Sequence, residues 1–158
     1  MSNEGNKPPV DLLVKDYYEK TRAAFKVRAF EMQQFWQYYL AGDAPHEKEL
    51  ARLYEALRLS YTQLSTYFDQ LLFSPLGLQP PDLNISVVYE RLSSDNFALA
   101  HLHERIAKRE GKDKDYHKEL ERLHRAKAHD YIKAAEKHRN LSREDFEKSI
   151  TRGDIPID

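Results

Sequence analysis

Six of the seven histidines in this chain of 158 residues fall between His101 and His138. Imidazole ligates transition metals and trades protons near neutral pH, so this stretch holds most of the chain's capacity for either chemistry. His117, Glu121 and His124 follow an i, i+4, i+7 spacing, which puts them on one flank of a helix. In a hairpin turning at Gly111–Asp113, His103 comes to their level from the preceding segment. Imidazoles with one carboxylate make a donor set for Zn²⁺ or another transition ion. His103, His117, Glu121 and His124 are therefore the expected metal site. The spacing is loose. A di-metal bundle needs Glu-x-x-His twice, and on these two segments only Glu121-x-x-His124 supplies it. The competing expectation is a set of partly exposed histidines beside acids.

The same stretch is basic. Residues 101–140 carry twelve Lys or Arg against eight Asp or Glu, a local surplus in a chain whose formal net charge is −1. Lys118, Arg122, Arg125, His129 and Lys133 step by three or four residues and line one helix face. A stripe of that kind can track a nucleic-acid backbone by displacing condensed counterions. Glu119, Glu121, Asp130 and Glu136 are interspersed, as on an ordinary solvated face, and no aromatic side chain offers a stacking platform for single strands. No Gly-rich phosphate loop, HExxH or ordered Ser/His/Asp set stands out. The expectation is a non-enzymatic protein.

A second surface lies near the N-terminus. Val14, Tyr17, Tyr18, Thr21, Phe25, Met32, Phe35, Trp36 and Tyr39 recur at helical steps along one face. Leu13, Ala23, Val27, Phe30 and Tyr38 fall off that line. A helix apolar on two sides is covered on two sides, by its own fold or by another molecule. Val27, Phe30, Trp36 and Tyr38 are the expected contact residues for a protein partner or a second copy. An interaction or assembly protein, self-associating through this helix, is the leading functional expectation. Nucleic-acid binding and metal binding stand behind it.

The elements that must hold these residues are helices. Five glycines and seven prolines sit between long periodic segments. The pattern predicts helices over 9–40, from an Asp43 cap to 73, from an Asn84 cap to 110, from the 111–115 connection to 139, and a short one from a Ser142 cap to 150. The stretch 74–83, with three prolines and a glycine, reads as a loop. The fold class that follows is an all-α bundle of four main amphipathic helices and a short C-terminal one, mostly antiparallel. Its expected extent is a single domain over residues 9–150, between a disordered tail at 1–8 and a frayed tail at 151–158. In the fourth segment Tyr116, Leu120 and Leu123 are the expected core. Beyond them the core positions read as Lys127, Asp130 and Ala134, with Asp95 opposite as a partner for the buried charge. Cysteine is absent, and no apolar run approaches membrane-spanning length. With no apolar core of a signal peptide at the N-terminus, the expectation is a cytoplasmic protein without a membrane partner.

Overall fold

The computed structural model describes residues 10–73, 84–109 and 113–153. They form five helices and no strand: α1 (Val10–Leu40), α2 (Pro45–Phe73), α3 (Ile85–Arg109), α4 (Lys114–Asn140) and α5 (Arg143–Thr151). The expected N-terminal tail, the 74–83 loop and the last five residues of the C-terminal tail lie outside the described residues.

Two helical hairpins make the bundle. α1 packs closely on α2 and α3 on α4, α2 joins the pairs through α3, and α5 folds back onto α1. The helix starts follow local chemistry. Pro45 opens α2, where its missing N–H has no intrahelical partner. The cap is one residue later than expected: the Ala44 carbonyl, not Asp43, receives the Lys48 N–H. Asn84 precedes α3 as expected, its carbonyl receiving the Val88 N–H and its side-chain oxygen the Ser86 hydroxyl at 2.7 Å. Ser142 Oγ accepts from the Asp145 N–H at 3.1 Å and caps α5. Ser93, Ser94 and Asp95 do not interrupt α3, which runs unbroken past them.

The core is rich in aromatic rings. Phe25 of α1 stacks on Tyr61 and Phe68 of α2 and leans on Tyr89 of α3, tying the two hairpins together. The hydroxyls of Tyr61 and Tyr131 meet at 2.7 Å, so α2 and α4 satisfy each other's buried polar atoms. Leu50, Leu57, Leu64 and Phe68, spaced by seven and four residues on one face of α2, are sealed in the core.

α4 departs from the expected phase. Tyr116 and Leu123 are 49 % and 45 % exposed, so of the three expected core residues only Leu120 is buried. The buried line is instead His117, Leu120, His124, Ala128, Tyr131, Ala134 and Ala135. Lys127 lies over the Tyr131 ring, Asp130 is exposed, and the cations acting on Asp95 are Arg52 and Arg91. Small alanines and one large tyrosine fill the space the sequence reading gave to charge.

Candidate functional site

Three of the six histidines of α3 and α4, His103, His117 and His124, come together, inside the bundle rather than on its flank. His103 is fully buried, and His117 and His124 are each 7 % exposed. His103 Nδ1 lies 2.8 Å from His117 Nδ1. Its Nε2 lies 2.8 Å from the hydroxyl of Tyr54, which comes from α2. The same hydroxyl is 2.9 Å from His124 Nε2, and His124 Nδ1 is 2.8 Å from Asn96 Oδ1. Asn96 Nδ2 ends the chain on the Leu92 carbonyl at 2.8 Å.

With every ring neutral, one proton arrangement satisfies all of these contacts. A carbonyl can only accept, so Asn96 donates through Nδ2 and presents Oδ1 to His124. His124 must then carry its proton on Nδ1, leaving Nε2 to accept from Tyr54. Tyr54 has one proton, so its oxygen accepts from Nε2–H of His103. His103 Nδ1 is therefore an acceptor, and His117 donates to it from Nδ1. Donation runs in one direction, from α4 through α3 and α2 back to α4 and α3.

Burial explains why the neutral form holds. Desolvation and the two neighbouring imidazoles press His103 down to about 3, and desolvation presses His124 down to about 4. Tyr54, enclosed between these rings and the stacked Phe35 and Tyr39, is pushed well above the ordinary phenol value by burial first. Elsewhere in the same hairpin, His138 lies between Tyr89 and Phe146, and burial takes it down to about 4.

The expected metal donor set does not assemble. Among the described residues, no three His, Asp or Glu side chains are grouped to hold an ion. Glu121 lies on the outer flank, paired with Arg125 at 3.3 Å. The nitrogens that face one another inside are joined by hydrogen bonds. Tyr54 and Asn96, absent from the sequence expectation, complete the group. Their signal is an inward-pointing helical step: Tyr54 between Leu50 and Leu57 on α2, and Asn96 between Leu92 and Leu99 on α3, two turns before His103.

The basic stripe is exposed and interrupted by acids. Arg122 pairs with Glu119 at 2.5 Å, and Arg125 bridges Glu104 and Glu121 at 3.2 and 3.3 Å. His129 sets its ring edge-on against Phe97. Lys118 and Lys133 are exposed at either end.

On α1, Val27, Phe30 and Tyr38 are 57 %, 60 % and 72 % exposed. Ala23 and Gln34 are exposed at the intervening steps, so 23, 27, 30, 34 and 38 form one continuous stripe. Trp36 is not part of it. It packs against the core with the Arg58 guanidinium 5.1 Å over its ring. No helix is long and apolar enough to cross a membrane among the described residues.

No family model matches this chain, and neither a curated protein nor a solved structure is similar to it.

Proposed function

We propose that this chain is a non-enzymatic interaction and assembly protein that associates with a second copy of itself through the outer face of α1. The observation that carries the reading is the exposed stripe of Ala23, Val27, Phe30, Gln34 and Tyr38. A bundle helix with its inner face packed on α2 has no structural need for valine and phenylalanine outside. Removing that apolar area from water would contribute about 25 cal/mol per Å².

Heptad phase and charge favour a second copy as the occupant. With Ala23 and Phe30 at d positions and Val27 and Gln34 at a positions, Lys26 falls at g and Glu31 at e. In a parallel pair the g residue of one helix faces the e residue five positions on in the other, so Lys26 meets Glu31 of the second copy on both sides of the seam. A polar residue at one a position, here Gln34, costs stability and favours a defined register. The stripe spans about two heptads, a short seam for a coiled coil, so association is expected at micromolar rather than nanomolar chain concentration.

Sedimentation equilibrium from 5 to 500 μM tests this. The expected result is a monomer–dimer equilibrium that Val27→Glu and Phe30→Glu each abolish without changing the helical circular dichroism. A monomer throughout the range, or a dimer indifferent to both substitutions, overturns it.

A further inference from the structure

We infer that the groove between α1 and α2 binds a phosphate ester with a hydroxylated body, its phosphate held by Arg22 and Lys26. The site is separate from the proposed dimer seam, with Lys26 the one cation common to both.

α1 and α2 pack closely side by side. On the outer side of their seam the short side chains of Ala23, Ala29, Thr62, Ser65 and Thr66 leave a groove of about 500 Å³. Arg22 and Lys26, one turn apart, stand on its α1 wall, and Asp69 faces them from α2. Both walls consist wholly of described residues.

Hydrogen-bonding capacity decides what such a groove recognises. A hydroxyl has one proton to give. Ser65 Oγ gives its own to the Arg22 carbonyl at 3.2 Å, and Thr62 Oγ1 to the Arg58 carbonyl at 2.8 Å. Both therefore meet the groove with lone pairs only. Asp69 is an acceptor too, its Oδ1 taking an N–H from Arg22 Nη1 at 2.8 Å. The α1 wall donates, through the remaining N–H groups of Arg22 and the ammonium of Lys26. A ligand that satisfies both walls turns an oxyanion toward α1 and hydroxyl groups toward α2. Two cations one turn apart match the double charge and three free oxygens of a phosphate monoester better than the single charge of a carboxylate.

The charges of the groove are not balanced by its own chain. Elsewhere on α1, cations have acids one turn away, Lys20 with Asp16 and Arg28 with Glu31. One turn either side of Lys26 stand Arg22, Ala23, Ala29 and Phe30, and no carboxylate among the described residues pairs with it. Asp69, the one acid lining the groove, is held by Arg22. Arg58 adds a third cation one turn before Thr62. Its guanidinium lies 5.1 Å over the Trp36 ring, and its buried Nε has no acceptor. Three cations against one acid make this seam positive in a chain whose net charge is −1, which draws an anion in.

Amide chemical shifts of the ¹⁵N-labelled full chain test the site. The titrants are glucose 6-phosphate, inorganic phosphate and glucose, at pH 7.5 and constant ionic strength. Saturable shifts around residues 22–29 and 62–69 are expected with both phosphates, and none with glucose. Glucose 6-phosphate should bind about fivefold tighter than inorganic phosphate, the effect of roughly one further hydrogen bond. Lys26→Gln should weaken both about tenfold. Thr62→Val/Ser65→Ala should remove the preference for the ester and leave inorganic phosphate binding unchanged. Val27→Glu, which breaks only the dimer seam, should alter neither affinity, so loss of self-association is not mistaken for loss of the site. Shifts that do not saturate, that spread equally to Lys118 and Lys133, or that survive Lys26→Gln overturn the site. Equal affinity for the two phosphates overturns the hydroxylated ligand.

Discussion

The hydroxyl of Tyr54 lies 2.9 Å from Nε2 of His124 and donates to it across the seam between α2 and α4. That bond and its partner to His103 place one phenolic oxygen at the meeting point of three helices. The ring below it is stacked between Phe35 and Tyr39, so packing holds the oxygen where the two imidazoles need it.

Tyr54→Phe keeps the ring and deletes only this oxygen. The Nε2–H of His103 and the Nε2 of His124 are then stranded in a dry interior. Each buried group left without a partner costs about 1–3 kcal/mol, so the expected loss is at least about 2 kcal/mol. Urea denaturation at pH 7.5 reads it directly. A midpoint equal to that of the wild-type chain would mean that water reaches this site.

Stability should fall on both sides of neutrality, for opposite reasons. An unfolded histidine titrates near 6.5, while folded His103 holds to about 3 and His124 and His138 to about 4. Above pH 6.5 both states are neutral and these groups contribute no slope. Below it the unfolded chain takes up protons that the folded chain refuses, so stability declines until the folded values are passed. At pH 5 each ring accounts for roughly 2 kcal/mol, and three together rival the whole stability of a small domain. On the alkaline side, Tyr54, Tyr89 and Tyr131 are raised well above the phenol value, chiefly by burial. Their contribution is complete below pH 10 and is lost as pH rises beyond it. Thermal melts at half-unit pH steps should trace a plateau from about 7 to 10. A melting temperature flat down to pH 5 would contradict the buried neutral histidines.

The contrast between α2 and α4 shows what the sequence made legible. Along α2 the buried side chains are mainly leucines and aromatics, and their spacing alone placed Leu50, Leu57, Leu64 and Phe68 inside. On α4 hydropathy pointed the wrong way. Tyr116, Leu123 and Ile132 look like core and are exposed, while the buried line steps through histidines and alanines. Leu120 and Ala134 belong to both lines, but at 116, 123, 127 and 130 the buried residue is the next one along, so the buried face is turned by somewhat less than the ~100° of one residue. A buried histidine is tolerated in its neutral form when its ring nitrogens find hydrogen-bond partners, and here those partners come from 14 to 70 residues away in sequence. Grouping His103, His117 and His124 was within reach of spacing. Distinguishing a ligand set from a hydrogen-bonded chain needed Tyr54 and Asn96 in place. The exposed stripe of α1 was legible as surplus apolar residues; Trp36, which the spacing put on the core face, was also expected at the contact, and it packs against the core beneath Arg58.

The corrected phase of α4 is testable by a pair of substitutions whose expected effects reverse the hydropathy reading. Ala128 has no exposed surface, and its carbonyl accepts from Ser93 Oγ at 2.8 Å, so α3 and α4 are in close contact there. Ala128→Leu should overpack that contact and cost about 1–3 kcal/mol. Leu123→Ala, on the exposed side, should change stability by no more than about 0.5 kcal/mol. Chemical denaturation of both variants is sufficient. A costly Leu123→Ala beside a silent Ala128→Leu would restore the phase that hydropathy suggests.

The orientation of the proposed dimer can be read by cross-linking, because the chain contains no cysteine of its own. A disulfide forms where two Cα atoms approach within about 4.4–6.8 Å. In a parallel pair the a positions of the two copies face each other at the same level, so Gln34→Cys chains should cross-link to one another under mild oxidation. An antiparallel pair centred between Val27 and Phe30 brings residue 34 of one copy beside residue 23 of the other. Gln34→Cys would then stay monomeric on a non-reducing gel, and a mixture of Ala23→Cys and Gln34→Cys chains would give the mixed dimer. The parallel arrangement also predicts that Lys26→Glu weakens association and that Lys26→Glu with Glu31→Lys restores it, since the seam pairs each with the other. Glu31 also accepts from Arg28 within its own helix at 3.0 Å, so the charge effect should be modest, less than about 1 kcal/mol per pair. Cross-linking of Gln34→Cys alone, lost when Phe30→Glu is added, is the result that ties orientation and interface to the same stripe.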